Sequence, residues 1–399
     1  MVPANMTSVT PYIAQDIAPG ELQDAVVELC MLDAALNANI PDALRKPMEH
    51  LLRVVNSFYS NKIEGNPTHP AEILHAQEES AQNKPSDALL EIKQHIEVQV
   101  KLAHSNIGND VVCSAEFLKT VHKCFYEGVP EKFLEIKNPD NGEIITLIPG
   151  EFRQRIVKVG QHVPPKPSDL NMYLNWFEQV FNLNRIHGTG KVLAAAASHH
   201  RLMWIHPFLD GNGRVGRLFT DNYMRCAGLG GYGLWSMSRG FGRNTDAYYE
   251  ALGSADMERQ GSTDGRGILS DKGLLKFTEY FIETALDQVK YFSALLEPKK
   301  LNERIEVYFE LRNRGAMISS NGTALPKLKS EAVDVYRKLL HFGPQQRSEI
   351  EKMLNVSERT ARTIISQMED AGLVVAPPRQ PISLALSPSS IELLFPHLW

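Results

Sequence analysis

The chain has 399 residues, of which 43% are hydrophobic and 22% charged, and a formal net charge of −5. That length predicts two or three domains of an ordinary globular protein, and the charge supplies no overall basic field for nucleic acid. Cys30, Cys113, Cys124 and Cys226 fall at wide, irregular spacings without a zinc pattern, so reduced thiols and a cytoplasmic location are expected. No basic-then-apolar leader opens the chain, and no apolar run reaches the roughly 18 residues of a membrane helix.

Residues 1–19 hold Pro3, Pro11 and Pro19 and little periodicity, which predicts an extended arm. Leu22, Val26, Leu29 and Leu36 give a helix over 21–36. Pro41 opens the next helix, which continues past Pro47 through Met48, Leu51, Leu52, Val55 and Phe58. It runs out in Ser60-Asn61-Lys62-Ile63-Glu64-Gly65, with Gly65 as stop and Pro67 as seal. Helices are expected over 70–82 and 86–106, and from an N-cap at Ser114 through Tyr126.

From Val129 the pattern changes. Lys132–Ile136 alternates, Asn138-Pro139-Asp140-Asn141-Gly142 is a turn cluster, and Arg153–Gly160 is rich in β-formers. A small hairpin is expected here. Ser168 or Asp169 caps a helix through Asn182, and Lys191–Ile205 forms another. His199 and His200 on that helix read as structural.

The run His206-Pro207-Phe208-Leu209-Asp210-Gly211-Asn212-Gly213-Arg214-Val215-Gly216-Arg217 interrupts two apolar-periodic stretches. One helix leads in, Pro207 and the glycines break it, and a second helix leaves. Gly211-Asn212-Gly213 then lies at a helix N-terminus, where free N–H groups and the dipole favour an anion. Arg214 and Arg217 are one turn apart, and both forks can face that anion. Asp210 repels a phosphate but can hold a Mg²⁺ (or Mn²⁺) that binds one. His206 is the natural proton acceptor.

Beyond a glycine-rich stretch, helices are expected near 271–295 and 300–313, and Ser319–Gly322 looks like a linker. From about Leu325 the order is helix, turn, helix, then a β-pair, which looks like a winged helix-turn-helix. Its second helix is Arg347–Leu354 and its third runs from Ser357 to Ala371, with Arg359, Thr360 and Arg362 on the recognition face. Residues 341–380 hold five Lys/Arg and five Asp/Glu. That balance argues for protein contacts or homodimerisation over DNA binding by residues 325–399.

The twelve-residue run resembles the signature of the Fic family, HPFx[D/E]GNGRxxR, at every fixed position. The resemblance implies a mainly α fold: a helical bundle with a small β-hairpin flap, here followed by the winged-helix-like module. It divides the chain into an N-terminal helical region (1–110), a core (111–298), a connection (299–324) and the C-terminal module (325–399). It implies an enzyme that moves AMP from ATP, with Mg²⁺ (or Mn²⁺), to a Ser, Thr or Tyr hydroxyl of a protein, itself included.

His206 would be the base and Asp210 the metal ligand. Gly211, Asn212, Gly213, Arg214 and Arg217 would bind phosphate, and Phe208 would anchor the loop. Ser60 to Gly65 resembles the family's inhibitory motif, so Glu64 would pair with Arg217 and deny it to the γ-phosphate. The hairpin resembles the flap that binds an extended target by strand addition, with Ile156, Val157 and Val159 as its clamp. Tyr248 and Tyr249 would help enclose the adenine. Asp256 stands where some relatives have Asn, which leaves the base open. Three alternatives remain at this level. The same site could transfer another phosphate-containing group, remove AMP with Glu64 orienting a water, or sense nucleotide in a DNA- or protein-binding regulator.

Overall fold

A computed structural model describes residues 9–70, 72–74, 86–137, 142–319 and 322–399. The chain divides into two compact units, one of Met1–Ala34, Asn56–Thr68 and Pro85–Val289, the other of Ala35–Val55, His69–Lys84 and Lys290–Trp399. Among the described residues no helix is long and apolar enough to cross a membrane. All four cysteines are free thiols.

The first unit is helical. It draws on most of α1 (Gly20–Asn39), the last two turns of α2 (Asp42–Ile63), α3 (Asp87–His104), α4 (Ala115–Tyr126), α5 (Leu170–Val180), α6 (Gly190–Ile205), α7 (Asn212–Cys226), α8 (Met237–Arg243), α9 (Thr245–Asp256) and most of α10 (Asp271–Leu295). Its centre is the α6–α7 pair. Leu193 and the Ala194–Ala197 run are fully buried, and so are Phe219, Tyr223 and Met224 on α7. The small alanine side chains let a neighbour approach closely, and the polar side chains these helices also bury, among them His199 and His200 on α6 and Arg217, Thr220 and Asp221 on α7, are hydrogen-bonded.

The end of α2 is fixed by polar contacts rather than apolar packing alone. Asn56 Nδ2 donates to Asp221 Oδ2 on α7 at 2.7 Å, and its Oδ1 accepts from Ser236 Oγ at 2.8 Å. Ser57 Oγ lies 2.9 Å from His95 Nδ1 on α3. Each group is buried, where an unmade hydrogen bond costs more than a made one gains. The turns that carry Ser60 and Glu64 are therefore set against α3 and α7. Gly65, at φ 84°, ends the helix as expected.

The small hairpin exists, on strands earlier than the Arg153–Gly160 run suggested. Strand β1 (Glu135–Lys137) pairs antiparallel with β2 (Ile144–Thr146), Ile136 facing Ile145; the expected turn at 138–141 lies outside the described residues. Arg153–Gly160 forms no strand, only the isolated bridge Val159–His162. Its backbone is drawn elsewhere: Arg153 N–H donates to Pro207 O at 2.9 Å. The run has strand-forming residues but no strand beside it to pair with.

The second unit takes the start of α2, then α11 (Pro298–Arg314), α12 (Ala332–Phe342), α13 (Arg347–Leu354), α14 (Glu358–Asp370), strands β3 (Val374–Val375) and β4 (Ser383–Leu384), and α15 (Pro388–Leu394). β3 and β4 pair antiparallel, and Gln345 bridges to Ile382. This is the expected order of three helices and a two-stranded ribbon. Gln346 and Glu349 form a capping box on α13, and Ser357 caps α14. The expected helix over 70–82 falls largely outside the described residues.

Candidate active site

Helix α6 stops at His206, which takes a left-handed conformation (φ 49°). A non-glycine residue holds that conformation only where its surroundings over-determine it. Here Arg153 does so. It is 3% exposed, donates through Nε to His206 O at 2.7 Å, and through Nη2 to Pro165 O at 2.5 Å and Ile205 O at 3.4 Å. The buried guanidinium thus faces the negative end of α6. With no carboxylate in hydrogen-bond reach, burial lowers its pKa to about 10.

The loop beyond is braced from inside and outside. Phe208 is fully buried and stacks on His122, centroids 4.0 Å apart. His122 Nδ1 accepts from Gly150 N–H at 2.8 Å, which leaves Nε2–H to donate to Asp210 O at 3.3 Å. Asn212 closes the loop on itself: Oδ1 accepts from Phe208 N–H and Nδ2 donates to Phe208 O, both at 2.9 Å. The Asn212 carboxamide, expected on phosphate, is therefore spent on the backbone. What Asn212 can offer an anion is its N–H. Gly211 has φ 78°, and a Cβ there would come within 2.8 Å of the Tyr126 ring.

Val215 N–H makes the first ladder bond of α7, to Gly211 O at 2.9 Å. The N–H groups of Asn212, Gly213 and Arg214 precede it and mark the anion-binding end of the helix. A Cβ on Gly213 would overlap Glu64 Oε1. The Glu64 carboxylate therefore lies over this end, in the position an anion would use.

Both arginines of the first turns are engaged. Arg217 is 1% exposed. Its Nε donates to Ser60 Oγ at 2.9 Å, and its Nη2 to Ser60 O at 2.9 Å and Glu64 Oε1 at 2.6 Å. Burial alone would lower its pKa, but Glu64 raises it. Arg214 donates through Nη2 to Tyr126 Oη at 3.0 Å and Asp210 Oδ2 at 3.2 Å, and through Nη1 to Glu91 Oε1 at 2.8 Å. Burial again opposes its charge, and Tyr126, Asp210 and Glu91 restore it. Asp210 Oδ2 also accepts from Tyr126 Oη at 2.7 Å. Against the upward push of burial, Arg214 and Tyr126 hold the Asp210 carboxyl below its usual range.

His206 Nδ1 faces Met203 O at 3.3 Å. A carbonyl only accepts, so Nδ1 carries the proton and Nε2 keeps its lone pair. Burial, with Arg153 and His162 nearby, lowers the His206 pKa to about 4 despite the Met203 carbonyl. At neutral pH the ring is an unprotonated base.

Glu64, Ser60 and Arg217 thus come together as expected, beside His206, Asp210, Gly211, Gly213 and Arg214. Other expectations change. Tyr248 lies in the core beside Arg217 and not on an open surface. It is fully buried, its hydroxyl 2.8 Å from His199 Nε2 and its ring stacked on Phe241. Tyr249 points outward at 48% exposure, with Oη donating to Ile63 O at 3.2 Å. Ile156 and Val159 are exposed and Val157 half-buried, without a regular strand edge. His199 and His200 are structural, His200 paired with Asp256 at 3.0 Å. Arg153, Tyr126 and Glu91 support the site without having been singled out by the sequence.

Among the described residues no three His, Cys, Asp or Glu groups converge as a metal cage. A Mg²⁺ bound through one carboxylate and substrate phosphates needs none. Asp210, with its side chain 45% exposed and its charge maintained, fits that role. In the C-terminal module, Arg362 pairs with Glu358 of its own helix, and Arg347 donates to the carbonyls of Ala376, Pro377 and Gln380.

Residues 113–224 match the Fic/DOC family model. Over 95 residues the chain is 40% identical to "Protein adenylyltransferase Fic" of Drosophila erecta and 42% identical to that of Aedes aegypti, each match covering 24% of this chain and 19% of the relative. The chain thus spans about a fifth of the length of the curated relatives it matches. A crystal structure of a Fic family protein from Desulfovibrio desulfuricans G20 shares the fold, with a TM-score of 0.50 and 15% identity over 90% of this chain and 96% of that one.

Proposed function

The chain belongs to the Fic family, and on that premise we propose that it is an auto-inhibited protein adenylyltransferase. It transfers AMP from ATP to a Ser, Thr or Tyr hydroxyl of a protein target. The observation that carries this reading is the Glu64 carboxylate, 2.6 Å from Arg217 and over Gly213 at the start of α7. A carboxylate at a helix N-terminus with a buried arginine beside it marks a site built for anionic oxygen.

His206 Nε2 takes the hydroxyl proton as the target oxygen bonds to the α-phosphorus. The bond from that phosphorus to the bridging oxygen breaks, and pyrophosphate leaves. The N–H groups at the start of α7, with Arg214, face the charge that develops. Arg217 receives the γ-phosphate once Glu64 has moved aside. Mg²⁺ or Mn²⁺, held by Asp210, supplies charge neutralisation on the phosphates when bound. Residues 325–399 act in protein contacts or homodimerisation, supported by the internal engagement of Arg347 and Arg362.

Substituting Glu64 with Gly removes the blocking charge. In E64G, incubation with ATP and Mg²⁺ is expected to raise the AMP mass shift on the protein or its targets at least tenfold, and H206A in that background to lose it. A Glu64 variant as quiet as the parent would refute the inhibitory role. Loss of AMP from a pre-modified target in the parent would favour the reverse reaction.

A further inference from the structure

Two arginines leave the first turns of α7, and each meets a carboxylate from a different N-terminal segment. Glu64, in the turn that ends α2, meets Arg217. Glu91 on α3 meets Arg214 at 2.8 Å, the two side chains being 23% and 8% exposed. The two contacts share a design. Arg217 is anchored by the hydroxyl and carbonyl of Ser60, and Glu64 adds charge. Arg214 is anchored through Nη2 by Asp210 and Tyr126, and its guanidinium lies 4.6 Å from the centroid of the Phe125 ring. Arg214 therefore keeps its position without Glu91. What Glu91 contributes is a negative charge on Nη1, the fork arm that Asp210 and Tyr126 leave.

Glu91 is itself fixed. Its Oε2 accepts from Asn66 Nδ2 at 3.1 Å, and the same nitrogen donates to Ala88 O at 2.9 Å. Asn66 follows Glu64 by two residues, and its N–H donates to Asn61 O at 3.0 Å. The carboxylate is tied on one side to the inhibitory turn and on the other to the phosphate-facing arginine.

We propose that Glu91 is the counter-charge of Arg214, and that a nucleotide phosphate seats on Arg214 by taking the place of Glu91 on Nη1. This rests on the nucleotide-binding function proposed above and gives the two carboxylates different jobs. Glu64 opposes the γ-phosphate through Arg217 and so discriminates against triphosphates. Glu91 opposes the phosphates nearer the nucleoside through Arg214 and so weakens diphosphates and triphosphates alike.

The test is calorimetric titration of ADP and of ATP, each with Mg²⁺, into the full-length parent, E91Q and E64G at one fixed salt concentration. E91Q is expected to tighten both nucleotides by a like factor, roughly tenfold for removal of a like charge at hydrogen-bond range. E64G is expected to tighten ATP more than ADP. E91D, whose shorter carboxylate draws back from Nη1, is expected to follow E91Q by a smaller factor and serves if the Gln variant does not fold. Unchanged or weakened affinity in E91Q and E91D would overturn the proposal and leave Glu91 an anchor. Tightening of ATP alone would overturn it as well, because Glu91 would then act through Asn66 on Glu64. If E91Q tightens both nucleotides while E64G changes neither, the inhibitory role of Glu64 fails and the role of Glu91 stands. If no form binds either nucleotide, both fall.

Discussion

The catalytic loop, His206 to Arg217, and the segment Gln154 to Val163 lie on either side of Arg153 in the hydrogen-bond network, yet they are built in opposite ways. In the loop nearly every polar group is spent: Asn212 on Phe208, Tyr126 on Asp210, Ser60 on Arg217. In the flanking segment Ile156 is 66% exposed and Val163 61%, and regular pairing is limited to the bridge Val159–His162. Groups that stabilise developing charge must be fixed before the reaction. A surface that receives varied polypeptides gains from exposed apolar side chains and unpaired backbone. On the function proposed above, the contrast sets rigid chemistry beside adaptable recognition, with Arg153 as the joint.

Acid is expected to break the rigid half first, with the largest effect. His95, His122, His199 and His206 all have pKa values lowered chiefly by burial, to about 3, 4, 3 and 4, from an ordinary 6.5. The folded chain keeps them neutral while the unfolded chain takes up protons below pH 6.5. Stability is therefore full above pH 6.5 and is lost as pH falls toward 4, by about 3 kcal/mol for a fully buried ring such as His122. Urea unfolding from pH 8 to pH 4.5 reads this. A midpoint that does not fall below pH 6 would show that these rings are not held neutral.

Substitution at the joint itself comes next. Lysine at Arg153 keeps the charge but cannot reach the carbonyls of Pro165, Ile205 and His206 together. In the E64G background, R153K is expected to lower kcat by roughly 10- to 100-fold, the scale of a small misplacement of a reacting group, with KM for ATP near its starting value. A risen KM at unchanged kcat would show that Arg153 serves the nucleotide and not the histidine.

The loop was legible because its parts are neighbours in sequence. His206, Asp210, Gly211, Gly213, Arg214 and Arg217 carry their chemistry within a dozen positions, and the Ser60–Glu64 motif carries its own spacing. The supports were not, because each acts across a long separation: Arg153 reaches His206 over 53 positions, Tyr126 reaches Asp210 over 84, and Glu91 reaches Arg214 over 123. A buried arginine and a tyrosine at a helix end look like any others until the chain is folded. Tyr248 and Tyr249 divide for a local reason, one in the core and one half-exposed, since successive residues on a helix point about 100° apart. The Ile156–Val159 stretch misled because β-propensity describes a side chain that suits a pleated surface, not the presence of a partner strand.

The smallest effect tests the adaptable half. Ile156 makes little contact to lose, so I156A is expected to change stability by no more than about 0.5 kcal/mol and to leave ADP affinity as it was. If the side chain meets the target, the loss appears only there. Incorporation of labelled AMP into lysate proteins by E64G/I156A should then fall about fivefold, consistent with part of the transfer energy of one aliphatic side chain. Equal incorporation at unchanged stability would detach the 154–163 segment from recognition. It would leave the β1–β2 hairpin, where Ile144 is 63% exposed, as the surface that receives the target.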